Sequence, residues 1–341
     1  MSAGPDVARA GASAGPELEL VLSELRGAER LLLVTHENPD GDALGSLLAM
    51  HHVLLQGGKD SLMYMSADEF PLPYEYRDLE FDGLLGAPPE DVRERTVVFL
   101  DCGNIDRMPV DFLQEEGVHI LNVDHHHDNT RFGTVNLVVP EASCTAEIVY
   151  HIARELGAEL TLPIAWALYL GLVTDTGRFM YENTTPAAHR MAGDLIQAGV
   201  EPHEVYRRLF EDLPFRRLQL LSRALASVQR HEQGTLTIAL LDRGDFEATG
   251  ALETDSEGIV DHMRAVEGTK VAALARELLC PDRAGRSKVS LRATDGSVDV
   301  SSIARAFGGG GHRQAAGFST GLGQDELVTS LREQVSAQLR P

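Results

Sequence analysis

The sequence predicts an α/β protein: an N-terminal parallel-sheet domain joined by a helical linker to a smaller α/β domain. Three observations carry this. Apolar runs alternate with helical patterns through the first half of the chain. Those runs are continuous rather than alternating, as in strands buried on both faces. Strand character then returns after Gly234, beyond a wholly helical stretch. The length, 341 residues, is ample for two cores.

Taken in order, residues 1–19 are rich in Ala, Gly, Ser and Pro and predict a frayed tail. No basic start leads into an apolar stretch, so a secretory signal is not expected. RLLLVTHE (30–37) reads as a buried strand ending at His36, and ALGSLLAMHHVLLQGG (43–58) as a helix closed by glycine. SLMYMS (61–66), TVVFLDCG (96–103), VHILNVDHH (118–126) and GTVNLVVP (133–140) are further strands. From Cys144 the pattern turns helical, in CTAEIVYHIARELG, PIAWALYLGLVTDTG and PAAHRMAGDLIQAG. Residues 201–234 read as two more helices broken at Pro214, the second a candidate arm between domains. TLTIALLD (235–242) and SKVSLRA (287–293) are strands, with a helix at GIVDHMRAVEG between them. The expected division is a tail at 1–19, a sheet domain at 20–200, a linker at 201–233 and a second domain at 234–341.

Composition narrows the function. Asp plus Glu number 52 against 30 Lys plus Arg, a net charge of −22. Such a surface repels long polyanions and speaks against tracking long duplex DNA. It leaves room for a short nucleotide held by metals and local arginines. No apolar run reaches the ~20 residues needed to span a bilayer, so no membrane partner is expected. The three cysteines (Cys102, Cys144, Cys280) have no CxxC spacing. They predict neither a disulfide framework nor zinc-thiolate ligation, and fit a reducing cytoplasm.

The chemistry sits where strands end. His36, Asp40 and Asp42 follow the first strand in THENPDGDALG; Asp101 ends TVVFLDCG; Asp124, His125 and His126 end the next run; Asp175 closes LGLVTD. In open parallel sheets ligands bind beyond the carboxyl ends of the strands. Carboxylates and imidazoles crowded there repel one another unless cations sit among them. Oxygen-rich ligation with imidazole suits Mn²⁺ or Mg²⁺, Mn²⁺ being favoured by two histidines. Each element also has a plain structural reading: PDGD is a good turn, and Asp42 could cap the following helix. In the second domain Gly308 to Gly311 precede His312, and a glycine run lets backbone N–H groups ring an anion.

These elements, in this order, resemble the motifs of the DHH phosphoesterase superfamily: THxxPDGD, LDCG, VDHH and GLxTDTGxF. ASCTAEIVY (142–150) is similar to the stretch between its third and fourth motifs. SIARAFGGGGHRQAAGF (302–318) resembles its DHH-associated C-terminal domain. The likeness runs from about Arg30 to near the end, and the branch it most resembles is the oligoribonuclease (nanoRNase)/PAP phosphatase group.

The resemblance implies a two-metal phosphoesterase. His36 and Asp40 would hold one Mn²⁺, Asp42, His125 and Asp175 the other, and Asp101 would bridge both, with Mg²⁺ as a substitute. His126 would meet substrate, by charge stabilisation or leaving-group protonation. Asp124 is expected to fix His125 as a hydrogen-bond acceptor. In the second domain Ser290, Arg292, Gly309, Gly310, Gly311 and His312 are expected to grip a terminal phosphate across an interdomain cleft. Arg305 and Arg313 could also face the crevice or make surface salt bridges, and His127 and Arg178 receive no role. The expected substrates are short single-stranded oligonucleotides, pApA- and pGpG-type linear dinucleotides, and 3′-phosphoadenosine 5′-phosphate, with a homodimer as the candidate assembly. The competing readings are a RecJ-like exonuclease on longer single strands and a non-catalytic nucleotide- or metal-binding protein.

Overall fold

The structure, a computed structural model, describes residues 15–70, 72–77, 79–108, 113, 117–211 and 213–339. The chain divides into two units, Met1–Glu211 and Asp212–Pro341. The first is built on a six-stranded sheet of order β3-β2-β1-β4-β5-β6. Its strands are β1 (Arg30–Val34), β2 (Asp60–Tyr64), β3 (Leu84–Leu85), β4 (Thr96–Leu100), β5 (Ile120–Asp124) and β6 (Val135–Val138). Every neighbouring pair is parallel. The sheet is apolar on both faces, which is why its sequences run without polar alternation. Leu31, Leu33, Val98, Leu100, Leu121 and Val123 point to the helical side. Leu32, Val34, Val97, Phe99 and Ile120 point to the other, covered by Val92, Met108 and Leu113.

The helices of this unit are α1 (Gly15–Gly27), α2 (Gly41–Gln56), α3 (Thr145–Glu155), α4 (Leu162–Asp175), α5 (Pro186–Gln197) and α6 (Pro202–Phe210). Of the tail expected at 1–19, residues 1–14 lie outside the described residues. Residues 15–19 are already helical: Val21, Leu22 and Leu25 of α1 are buried, and that apolar face anchors the turns before it. α2 and α4 pack backbone to backbone through two glycines. A Cβ on Gly45 would lie 2.4 Å from Ala167 O, and one on Gly171 would lie 2.7 Å from Asp42 Oδ1. This contact sets the end of α4 beside the start of α2.

The stretch 201–233 falls in both units, α6 in the first and α7 (Phe215–Ala226) in the second. The second unit's sheet has the order β11-β12-β10-β9-β8-β7. Its strands are β7 (Gln229–His231), β8 (Leu236–Leu241), β9 (Val271–Glu277), β10 (Ser287–Ala293), β11 (Gly310–Gly311) and β12 (Ala315–Thr320). Only β8 and β9 run parallel. Helices α8 (Arg243–Thr249), α9 (Ile259–Arg264), α10 (Val300–Ala306) and α11 (Gln324–Leu339) complete it. One face packs Ile303, Leu331 and Val335 on the sheet, the other Leu220, Phe246 and Met263. Among the described residues no helix is long and apolar enough to cross a membrane.

Candidate active site

The acids and imidazoles singled out at strand ends in the first unit converge. Asp40 is the cap of α2, its Oδ1 accepting from the backbone N–H of Asp42 (3.0 Å) and Ala43 (3.1 Å). The cap is therefore Asp40, not Asp42. Asp42, in the first turn of α2 and buried, accepts from the first N–H groups of α3 instead: Thr145 N at 2.6 Å and Ala146 N at 2.9 Å. A helix N-terminus favours an anion there. Burial, with Asp101, Asp175 and Asp40 nearby, still drives the Asp42 carboxyl well above the ordinary carboxylate range.

Asp101 leaves β4 in the left-handed region, at φ +60°. That conformation costs a non-glycine residue about 1–2 kcal/mol, and such outliers gather at functional sites. Its Oδ2 lies 3.6 Å from His36 Nε2, and its Oδ1 lies 3.7 Å from His125 Nε2 and 3.6 Å from His126 Nδ1. Thr145 Oγ1 donates to the same Oδ1 at 3.0 Å. Burial pushes this carboxyl up, but His36, His126 and His125 together bring it well below its usual range. Asp175 ends α4, with Oδ2 3.7 Å from His125 Nε2. Burial outweighs the attraction of His125 and pushes its carboxyl up to about 7.

Three groups of donors emerge in this unit, His36–Asp40–Asp101, Asp42–His125–Asp175 and Asp101–Asp124–His126, the ligand atoms of each lying within 4.8 Å of one another; the first two together use each of the expected ligands. An ion about 2.1 Å from each donor sets opposite donors about 4 Å apart, so the groups fit a hard divalent cation with little closure. Asp101 turns one oxygen toward His36 and the other toward His125, the disposition a shared ligand needs. The donors are oxygen and imidazole nitrogen without sulfur, which suits Mn²⁺ or Mg²⁺ better than structural zinc.

One expectation is corrected. Asp124 does not hydrogen-bond His125; its Oδ1 accepts from His126 Nδ1 at 2.7 Å. Residues two apart on extended chain share a face, so the carboxylate meets the second histidine and not the first. Burial alone would push the His126 imidazole down, yet Asp124 and Asp101 raise it. His127 is exposed.

Sequence reasoning passed over three polar residues here. Besides Thr145, Asn183 Nδ2 donates to Asp175 Oδ2 at 3.0 Å and to Ser143 O at 2.8 Å. Asn129 lies beside Asp124. A single polar residue in a turn carries no periodic signal; its place after VDHH was the only hint.

In the second unit Ser290 and Arg292 share a face of β10, opposite Gly317 and Ala315. Arg292 Nε lies 3.6 Å from Asp261 Oδ1. The glycine run is not a loop with all four N–H groups open to an anion. Gly308 and Gly309 give theirs to Arg305 O (3.0 Å) and Ala304 O (2.8 Å) at the end of α10. Gly310–Gly311 is an edge strand on β12. Glycine is demanded by closeness: a Cβ on Gly309 would sit 2.1 Å from Gly317 O. His312 opens the tight turn into β12, its N–H donating to Ala315 O at 2.7 Å. Arg313 Nη2 is held by Gly296 O at 2.9 Å, Arg305 lies 3.9 Å from Asp299, and Arg178 lies 5.1 Å over the Phe210 ring.

Comparison with known proteins defines the class, a phosphoesterase hydrolase. Residues 30–172 match the DHH family, N-terminal domain, and residues 246–340 the DHHA1 domain. A bifunctional oligoribonuclease and PAP phosphatase of Thermus thermophilus is 35% identical over 326 residues, covering 95% of this chain and 94% of its own. The chain belongs to the DHH family. Among solved structures, an exopolyphosphatase-related protein from Bacteroides fragilis aligns with TM-score 0.81 at 22% identity, over 95% of this chain and 96% of that one. RecJ of Thermus thermophilus in complex with Mn²⁺ aligns with TM-score 0.56 at 15% identity, over 95% of this chain and 55% of that one.

Proposed function

We propose that this protein hydrolyses short single-stranded oligonucleotides to mononucleotides, including pApA- and pGpG-type dinucleotides, and 3′-phosphoadenosine 5′-phosphate to AMP. The observation that carries this is the pair of donor groups meeting at Asp101. The near full-length likeness to an oligoribonuclease and PAP phosphatase supports the substrate class. The net charge of −22 supports short over long substrates. On this reading the first unit is catalytic and the second binds nucleotide.

His36 and Asp40 would hold one Mn²⁺, Asp42, His125 and Asp175 a second, and Asp101 both; Mg²⁺ is the substitute. Such ions, when bound, lower the pKa of a water and offset charge on a phosphoryl oxygen. The chain's own residues do the rest. Thr145 and the start of α3 orient Asp101 and Asp42. His126, its Nδ1–H given to Asp124, would as imidazolium donate its Nε2–H to the phosphate or the leaving oxygen. Ser290, Arg292, Gly310, Gly311 and His312 would take the terminal phosphate, with Gly309, its N–H given to Ala304 O, shaping the approach to them.

The test is product analysis. Labelled 2-mers, 5-mers, 20-mers, 3′-phosphoadenosine 5′-phosphate and cyclic dinucleotides are offered with Mn²⁺ and ranked by kcat/KM. The 2- to 5-mers and the bisphosphate should lead. Faster degradation of 20-mers would favour a RecJ-like exonuclease instead, and an inert protein would overturn the reading.

A further inference from the structure

We infer that Asn129 is a positioning residue that holds the His126 ring in one orientation, Nδ1–H toward the carboxylate, acting through Asp124. Asn129 lies in the turn after β5, half-buried, its backbone N–H on His126 O at 3.2 Å. Its Nδ2 donates to Asp124 Oδ2 at 2.6 Å and to Cys102 O at 3.2 Å. Its Oδ1 accepts from Arg131 N at 2.6 Å and Asn122 Nδ2 at 3.3 Å. The amide therefore fits only one way round: reversing it would set oxygen against a carboxylate and a carbonyl, and NH₂ against two donors.

The consequence runs through Asp124. This carboxylate is fully buried and has two oxygens to satisfy. Asn129 takes one and His126 Nδ1 the other. With Oδ2 held by the amide, Oδ1 has one direction, and it points at the ring. Nδ1–H is thereby committed to Asp124, and Nε2 is the nitrogen turned to other partners. The bond to Cys102 O ties the turn to the exit of β4, next to Asp101.

This rests on the reading of His126 given above, and the experiment separates the two. Asn129→Ala removes the amide; Asn129→Asp keeps its shape but replaces the donor with an acceptor. Each variant is compared with the parent, with His126→Ala, and with the double variants. Partners of this kind typically change activity about 10–100-fold when removed. We expect kcat to fall by that order with KM within about two-fold, and Asn129→Ala to cost nothing further in the His126→Ala background. Independently of turnover, ¹⁵N signals of the His126 ring, assigned by their loss in His126→Ala, should move from the Nδ1–H form in metal-free Asn129→Ala and Asn129→Asp. Losses that multiply across the double variant, or an unmoved ring signal, would overturn the inference. Full turnover in His126→Ala would remove His126 from the reaction, and the ring signal would then decide the Asn129 assignment alone.

Discussion

Replacing Asp175 by Asn should make the metal-free protein more stable, although the carboxylate lies at the centre of the site. The carboxyl is raised from an ordinary 3.8 to about 7, chiefly by burial. That rise is roughly three pH units, or about 4 kcal/mol of penalty once the group is ionised in the fold. That penalty is already net of the attraction from His125, 3.7 Å away. Burying the Asn amide in its place costs a few kcal/mol, so about 1–2 kcal/mol should survive as net gain. In a unit of this size that is roughly 2–8 °C in Tm. The sign with pH is definite. Between about pH 4 and 7 the folded chain keeps a proton on Asp175 that the unfolded chain releases, so stability falls as pH rises through that window. The assay is thermal melting after exhaustive chelation, at pH 5 and pH 8, for parent and Asp175→Asn. The gain should be largest at pH 8 and shrink at pH 5, and added Mn²⁺ should raise the parent's Tm more than the variant's. A variant that melts below the parent at pH 8, or whose gain does not depend on pH, would refute the reasoning.

Three further outcomes are expected. Gly171→Ala places a methyl 2.7 Å from both Asp42 Oδ1 and Ala146 Cβ; overpacking should cost about 1–3 kcal/mol despite the helix preference for Ala, and metal affinity measured by calorimetry should fall with it. Gly309→Ala collides with the backbone of β12, whereas a Cβ on Gly310 meets nothing within 4 Å. The first should therefore lower Tm, and the second should fold normally and raise KM for phosphorylated substrates, as read by melting and steady-state kinetics. His312→Ala should likewise act on KM more than on kcat, and unchanged kinetics would remove it from the phosphate-binding set.

Much of the first unit was legible because its physics is local. RLLLV and TVVFL are near-continuous apolar runs, ILNVD is broken only by the buried Asn122, and each ends at or shortly before a chemistry-bearing residue. The helix-capping aspartate was misplaced by two residues, since PDGD offers two equivalent acids and only the packing of α3 decides between them. The second unit was less legible. VAALARE is rich in residues that favour helices, yet it is β9, paired on both sides with the sheet. Tertiary pairing overrode its local preference. The glycine run suggested an anion cradle, and closeness to β12 adds a separate demand for glycine at 309 and 311 that the sequence did not show. Thr145, Asn129 and Asn183 were invisible because their partners lie on other strands and helices.

The order of the parallel sheet also has a kinetic side. β1 pairs with β4 in the register Leu31 to Thr96, and Asp42 meets Thr145 only when α3 has docked. Long loops must close before either contact forms, which makes such topologies slow to fold. His36, Asp101 and Asp175 end or follow three separate elements, so the donor set is expected to assemble late. Stopped-flow refolding in the presence of Mn²⁺ should find metal uptake lagging the return of helical signal, so that acquisition of metal marks the last step of folding.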